Sequence, residues 1–261
     1  MRIVVTGSTS KIGINLIKKL IELGHDVIAT GGSQSNVWKL GQKLPLRLQG
    51  DILIHLAHDR TLSLNENIKF TQLLCDNFQG KKIFLSSLSA HQFTESKYGK
   101  SKFEMEKIFL RSNSVILKAG IVYGLNVGGI FDKIDEFVKK LNFFPLPYRG
   151  NSILFTSYLD DLISEIICNI EFDKSKVIFA ANYYPISLIE IISQLAKKRG
   201  KKFYFLPLPK FPFHQIVKFF SRMFSGISIL DSFISLSKTI PLSELSKLDK
   251  PATQFRNFTL L

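Results

Sequence analysis

The stretch SKYGKSK, residues 96 to 102, sets a tyrosine, Tyr98, four positions before a lysine, Lys102. Four residues make about one helical turn, so on a helix the two side chains share a face. A free phenol loses its proton near pH ~10. An ammonium beside it favours the phenolate and brings proton exchange with a hydroxyl toward neutral pH. Lys100 points about 160° away from Lys102 around the same helix and reads as solvated surface. Upstream, FLSSLSAH sets Ser86, Ser87 and Ser89 at the end of a predicted strand, where a hydroxyl can hold a substrate oxygen. Ser87 is the first choice, with Ser86 and Ser89 open beside it. The bland alternatives are a solvated basic helix face and three polar residues that merely end a strand. Tyrosine and lysine at this spacing occur by chance in many helices, so the elements around them must decide.

Those elements alternate. RIVVT (2–6) is a β-branched run, and GSTSKIG follows it. Residues 11–23 then carry Ile12, Leu16, Ile17, Leu20 and Ile21 at helical spacing, Gly24 closes the helix, and HDVIAT begins a second strand. That is a strand, glycine turn, helix, strand unit, hence parallel strands. DILIHLA (51–57), a helix over 64–78, KKIFLSS (81–87), the motif helix over 95–111 and SVILKAG (114–120) continue the pattern. The fold class is α/β, a Rossmann-type doubly wound parallel sheet with a small C-terminal substrate lobe. Residues 1–124 are expected to form the nucleotide domain with the Ser/Tyr/Lys set. Residues 125–261 form mainly the lobe, with some segments returning to the main sheet. A glycine turn that opens the first helix aims backbone N–H groups at an anion, and a pyrophosphate suits it.

Composition bounds the rest. Hydrophobic residues make up 45% of the 261 positions, enough for a sizeable core. The two cysteines, Cys75 and Cys168, are far apart and lack metal-ligand spacing, which fits a reduced, cytoplasmic setting and no metal site. MRIVVTG reads as a buried strand rather than a signal peptide, and no apolar run is long enough to span a membrane. The net charge of +14 favours anionic ligands without choosing among them. Zinc-finger spacing and an RRM-type aromatic signature are both missing, so nucleic acid is not the expected partner.

Taken together, the motifs resemble the extended short-chain dehydrogenase/reductase superfamily, within its NAD-dependent epimerase/dehydratase family. TGSTSKIG is similar to that family's TGxxGxxG turn, DILIHLAHD to its D-x-x-x-H-L-A-A strand and NIKFTQLL to its N-x-x-G-T-x-x-L-L helix. SSLSAH followed by YGKSK resembles its Ser…Tyr-x-x-x-Lys set, LKAGIVYG its R-P-G-x-V-Y-G segment, and SYLDDL its H-V-D-D-L. The likeness is good over roughly 1–165 and general beyond. It departs at Ser10 and Phe70, where glycine is usual, at Lys118 for arginine, at Ala119 for proline, in a short 31–50 region and in the tail from 211.

The resemblance implies roles. Ser87, Tyr98 and Lys102 are catalytic. Gly7, Ser10, Lys11, Ile12, Gly13, Leu56, Ala57, His58, Asn67, Tyr98 and Lys102 bind the dinucleotide, with Lys102 reaching the nicotinamide ribose. Asp51 is chiefly structural by the same resemblance; read from the residues themselves, His55 is a hydrogen-bonded core histidine, Tyr123 is structural, and Asp160 and Asp161 suit a helix dipole with no function. The strand end Thr30–Gly31–Gly32 lacks the acid that holds a ribose 2′-hydroxyl, and Lys11 could meet a 2′-phosphate, so the cofactor is NADP or NAD with a lean to NADP. The implied substrate is a nucleotide-diphosphate sugar, its diphosphate met by Arg149, with Lys133 and Arg222 as other cations. The implied reaction is hydride transfer in an epimerase or reductase. Leu88 and Ser89 stand where a dehydratase usually needs an Asp–Glu pair. A homodimer through the tyrosine-bearing helices is possible. Two other readings stay open: a non-catalytic NAD(P)-binding assembly subunit, and a peripheral membrane or nucleic-acid binder that uses KFPFHQIVKFFSRMF. Cofactor titration separates the first from an enzyme, and co-sedimentation with liposomes or RNA at two salt concentrations separates the second.

Overall fold

A computed structural model of the chain describes residues 1–31, 48–59, 61–124, 127–146, 152–172, 174–207 and 240–260. The first half runs β1 (Arg2–Thr6), α1 (Lys11–Glu22), β2 (Asp26–Thr30), β3 (Ile52–His55), α2 (Leu64–Asn77), β4 (Lys81–Ser87), α3 (Lys97–Phe109), β5 (Ser114–Ala119). With β10 (Lys176–Ala180) these strands form a six-stranded sheet in the order β10-β5-β4-β3-β1-β2, parallel throughout. The order reverses beside β1: β2 lies on one side and β3 on the other. A crevice for ligand opens at such a switch point, outside the carboxyl ends of the strands.

Side chains alternate across a strand, so each strand feeds two cores. Ile3, Val5, Ile52, Ile54, Ile83, Leu85, Val115 and Leu117 pack with Leu16 and Leu20 of α1 and with Leu162, Ile163 and Ile166 of α5 (Leu159–Cys168). On the other face Val4 and Leu53 pack with Leu74 and Phe78, and Phe84 and Ile116 with Met105, Ile108 and Phe109 of α3. His55, Ser86 and Lys118 follow the same alternation onto the α3 side, where they are buried. Serine starts the helices that matter. Ser10, Ser63, Ser96 and Ser187 each accept an N–H of the turn that follows, and Ser63 with Glu66 and Ser187 with Glu190 complete capping boxes.

The rest forms a lobe. β6 (Ile121–Tyr123) pairs with β9 (Thr156–Tyr158), β7 (Phe143–Leu146) with β12 (Tyr204–Pro207), and β8 (Ile153–Leu154) with β11 (Ile186–Ser187). Helices α4 (Gly129–Lys140) and α6 (Leu188–Lys198) close over them around Tyr123, Phe131, Ile134, Ile191 and Ile192. Gly120 makes the exit from the main sheet: a Cβ there would collide with the Phe155 backbone. A last short helix, α7 (Leu242–Leu245), leads into a C-terminal strap. Asp249 bridges to β10 through Asp249 N to Val177 O, 2.8 Å, and Phe179 N to Asp249 O, 2.9 Å.

The strap corrects one expectation. Asp160 is exposed and suits the α5 dipole, but Asp161 is buried and grips Arg256, Nη2 to Oδ1 at 2.6 Å, while its Oδ2 accepts the Arg256 backbone N–H at 2.9 Å. One turn on, buried Glu165 accepts the N–H groups of Ala252 (3.2 Å) and Thr253 (2.6 Å). Tyr123 donates its hydroxyl to Asn257 O at 3.0 Å, and burial pushes that phenol up to about 12. It is a strut, as the sequence implied. Replacing Glu165 by alanine leaves two strap donors without their acceptor. A loss of about 2 kcal/mol is expected, or about 5 °C in Tm by calorimetry. An unchanged Tm would mean that the carboxylate does not hold the strap.

Candidate active site

The glycine turn lies between β1 and α1, at the switch point. Gly7 has φ +74°, open to glycine, and a Cβ on it would sit 2.9 Å from Ala57 N. The turn therefore presses on the loop that leaves β3. A Cβ on Gly13 would meet Gly7 O and lie 2.9 Å from Ser8 Cα, so only glycine lets α1 start this close to the turn. Ser10, the departure from the glycine pattern, closes the turn itself. Its Oγ donates to Gly7 O (2.8 Å) and accepts from Gly13 N (3.0 Å). The N–H groups of Lys11 and Ile12, at the first turn, have no intrahelical acceptor, as any helix start requires. They and the positive helix end suit an anion. These features fit the pyrophosphate of a dinucleotide. Lys11 is exposed, its stem beside Gly128 ahead of α4. Ser8 N is held by Thr30 O at 3.2 Å, and neither Thr30 nor Gly31 brings an acid to the end of β2. Residue 32 and the short region up to 47 lie outside the described residues.

The loop after β3 forms the other wall. Leu56 N reaches Thr6 O (3.2 Å) and Ala57 N reaches Thr6 Oγ1 (3.4 Å). Thr6 Oγ1 also bonds His55 Nδ1 at 2.7 Å, and Phe84 and Phe109 each lie 5.7 Å from the His55 ring. Burial, then the charges of Lys102 and His58, hold this imidazole well below the usual histidine range. It is a neutral core histidine. His58 lies in the site: its ring meets Tyr98 edge-on at 5.0 Å, and Nε2 is 3.2 Å from Ser101 Oγ. Buried Asn67 spends its side chain on the loop, with Nδ2 on Asp59 O (2.8 Å) and Ser63 O (3.1 Å), and Oδ1 accepting Asp59 N (3.1 Å). Its service to any ligand runs through that loop. Asp51 accepts the Arg2 N–H at 2.7 Å and is structural, as expected.

The strand end and the motif helix meet at Gly99. A Cβ there would strike Ser89 O and Thr94 Oγ1, so this glycine lets the first turn of α3 touch the serine loop. Tyr98, half-buried, is thereby carried next to that loop. Ser87 Oγ lies 3.0 Å from Ser89 Oγ and accepts Ser89 N at 3.2 Å. Ser86 is 3% exposed, and its hydroxyl donates to buried Glu106 of α3. That commitment sets Ser86 apart from the site and leaves Ser87 and Ser89 beside it. Lys102 is 2% exposed; its Nζ donates to Leu85 O at 2.8 Å and stands 4.5 Å from the Phe84 ring centroid. Burial draws its pKa down to about 7, against the pull of Glu106. Lys100 is exposed, as its helical angle required.

Other candidates fall elsewhere. Lys133 is half-buried on α4; Arg149 and Arg222 lie outside the described residues, as does most of the tail from 211. The sequence reading missed Glu106, Ser101 and the partner of Lys118. Glu106 follows Lys102 by one helical turn, which was visible; that the turn is buried was not. Among the described residues, no cluster of three or more His, Cys, Asp or Glu is set to hold a metal, and no helix is long and apolar enough to cross a membrane.

No protein-family model matches the sequence, and no curated protein matches it. Solved structures do match in fold. A UDP-glucose 4-epimerase from Thermotoga maritima, solved with UDP-glucose, is 19% identical with a TM-score of 0.61, over 81% of this chain and 87% of that one. A UDP-glucuronic acid 4-epimerase from Bacillus cereus in complex with NAD is 20% identical with a TM-score of 0.62, over 80% and 86%. A dTDP-4-dehydrorhamnose reductase from Clostridium acetobutylicum is 14% identical with a TM-score of 0.63, over 81% and 86%. At these identities the likeness establishes the fold alone, a Rossmann-like α/β fold with a mostly parallel central sheet.

Proposed function

We propose that the protein is an NAD(P)-dependent oxidoreductase or epimerase that acts on a hydroxyl or ketone of a nucleotide-diphosphate sugar. The observation that carries this is the meeting, through Gly99, of the Ser87–Ser89 loop with the helix of Tyr98 and Lys102, at the same sheet edge as the Gly7–Gly13 turn. The folds it matches belong to enzymes described with UDP-glucose and with NAD, which supports both ligand classes. When bound, the dinucleotide supplies a nicotinamide that takes up or returns a hydride.

The chain's own residues do the rest. The N–H groups of Lys11 and Ile12 hold the pyrophosphate, and Gly7 and Gly13 keep space for it. Ser87 Oγ holds the substrate oxygen, with Ser89 Oγ at 3.0 Å to orient it. Tyr98 takes the hydroxyl proton on its phenol oxygen. A cation on Lys102 favours that phenolate, and Lys102 changes charge near pH about 7. His58 packs against the Tyr98 ring and limits its swing. The reading leans to NADP because Thr30 and Gly31 bring no acid to a ribose and Lys11 stands at the helix start. Arg149 is the proposed cation for the substrate diphosphate. Leu88 and Ser89 argue against a dehydratase.

The test is to load the protein with NAD or NADP and offer a panel of UDP and dTDP sugars, and to load it with NADH or NADPH and offer the corresponding ketosugars, following reduced nicotinamide by absorbance and sugar configuration by NMR. At least one sugar nucleotide should be oxidised, reduced or epimerised. A protein that holds cofactor tightly yet turns over none of them would favour the non-catalytic subunit instead.

A further inference from the structure

Behind the proposed trio lies a cluster of charge that the reaction does not touch. Glu106 on α3 and Lys118 on β5 are each 5% exposed and pair at 2.9 Å between Nζ and Oε2. Lys118 also donates to Ala90 O, in the loop after Ser89, and Ser86 donates to the other oxygen of Glu106. Lys102 stands one helical turn before Glu106, buried, with a carbonyl and an aromatic face as its near neighbours. One buried carboxylate thus pairs with one buried lysine and lies a helical turn from a second.

We infer that Glu106 is a positioning residue for the Ser87–Tyr98–Lys102 site: its carboxylate ties the serine-bearing end of β4 to α3 and is the buried counter-charge one helical turn from Lys102, shared with Lys118. The mechanical half follows from the bonds. Ser86 precedes Ser87, and Ala90 follows Ser89, so Glu106 and Lys118 hold both ends of the segment that bears the candidate hydroxyls. The electrostatic half follows from burial. Desolvation opposes the Lys102 cation, and Glu106 is the charge that counters it. Burial also pushes the Glu106 carboxyl upward, and Lys118, the Ser86 hydrogen bond and Lys102 pull it back down. Among the described residues, the other titratable groups around Lys102 are Tyr98, one helical turn before it on α3, His55 on β3, which is neutral, and His58 in the loop after β3, whose ring meets Tyr98. His91 follows Ala90 and is buried too. A lone ion pair of Glu106 with Lys118 would need neither Ser86 nor a second cation. The catalytic meaning rests on the function proposed above; the charge network does not.

The test reads the lysine directly. In protein labelled at the lysine side-chain carbon and nitrogen, NMR titration should reveal one lysine that changes charge near neutrality and vanishes in Lys102→Met. Glu106→Gln should lower that midpoint by about 1 pH unit or more, a tenfold change in acidity, and Lys118→Met should raise it. Lys118→Arg keeps the charge and should leave it close to the wild-type value. A midpoint unmoved by Glu106→Gln overturns the inference. If Glu106→Gln fails to fold, Lys118→Met decides, and a midpoint that does not rise there overturns it equally. Titration with NADPH and with NADH by fluorescence on the same samples keeps the two ideas apart. Wild-type protein that binds no cofactor sinks the proposed function and leaves the lysine shift standing. Cofactor binding with a midpoint indifferent to Glu106 sinks the counter-ion alone.

Discussion

Replacing Tyr98 by phenylalanine should lower turnover of the sugar substrate by about 10²–10⁴-fold, the usual worth of a positioned general acid or base, and leave cofactor affinity unchanged. The substitution keeps the ring that packs edge-on against His58 at 5.0 Å and removes only the phenol oxygen. The helix keeps its Ser96 cap, its contact with Ser89 at Gly99 and the Lys102 anchor on Leu85 O. The lost quantity is therefore the proton acceptor rather than the architecture. Paired measurements of kcat and dinucleotide affinity read this directly. Equal turnover in the variant would remove Tyr98 from the chemistry and bring Ser89 or His58 forward as the proton acceptor.

Gly13→Val should abolish cofactor binding. The atoms a side chain would strike at Gly13 are backbone, Gly7 O and Ser8 Cα, so no rotamer relieves the clash. α1 must move away from the turn, and the Lys11 and Ile12 N–H groups leave their aim. Two charge-assisted hydrogen bonds are worth about 3–6 kcal/mol together, so affinity should fall by about 10²–10⁴-fold. Ser10→Ala is the control. It removes a helix cap, worth about 1 kcal/mol of stability, but leaves both N–H groups where they are. Loss of Tm without loss of cofactor is expected there, and loss of both in Gly13→Val. Full cofactor affinity in Gly13→Val would place the dinucleotide elsewhere.

The main sheet was legible because its inner strands β1, β3, β4 and β5 are short apolar runs buried on both faces, and the helices between the strands repeat their apolar residues at helical spacing. KKIFLSS is β4 residue for residue, and the helices over 11–23, 64–78 and 95–111 appear within a residue or two at each end. The lobe was less legible. Strands such as Ile153–Leu154 and Ile186–Ser187 are two residues long and exist only through each other, so no local period announces them. IVY leaves the main sheet at Gly120 because Phe155 lies against it, a contact between distant segments. The same holds at the site. Tyr98, Lys102 and the glycine turn were found by local spacing. The strap partners of Asp161 and Glu165 are in residues 252–256, and a run such as LDDL carries no sign of them. Glu106 reads locally as one more charge in KFEMEK. Its importance comes from the burial of its face against β4 and β5.

The central claim is that the turn at Gly7–Gly13 holds a nicotinamide dinucleotide for the tyrosine beside it. Titrating the purified protein with NADPH and with NADH, and following nicotinamide fluorescence, tests it most directly. Saturable binding of at least one, kept in Tyr98→Phe and lost in Gly13→Val, is the result this account requires. No binding of either up to millimolar concentration would contradict it.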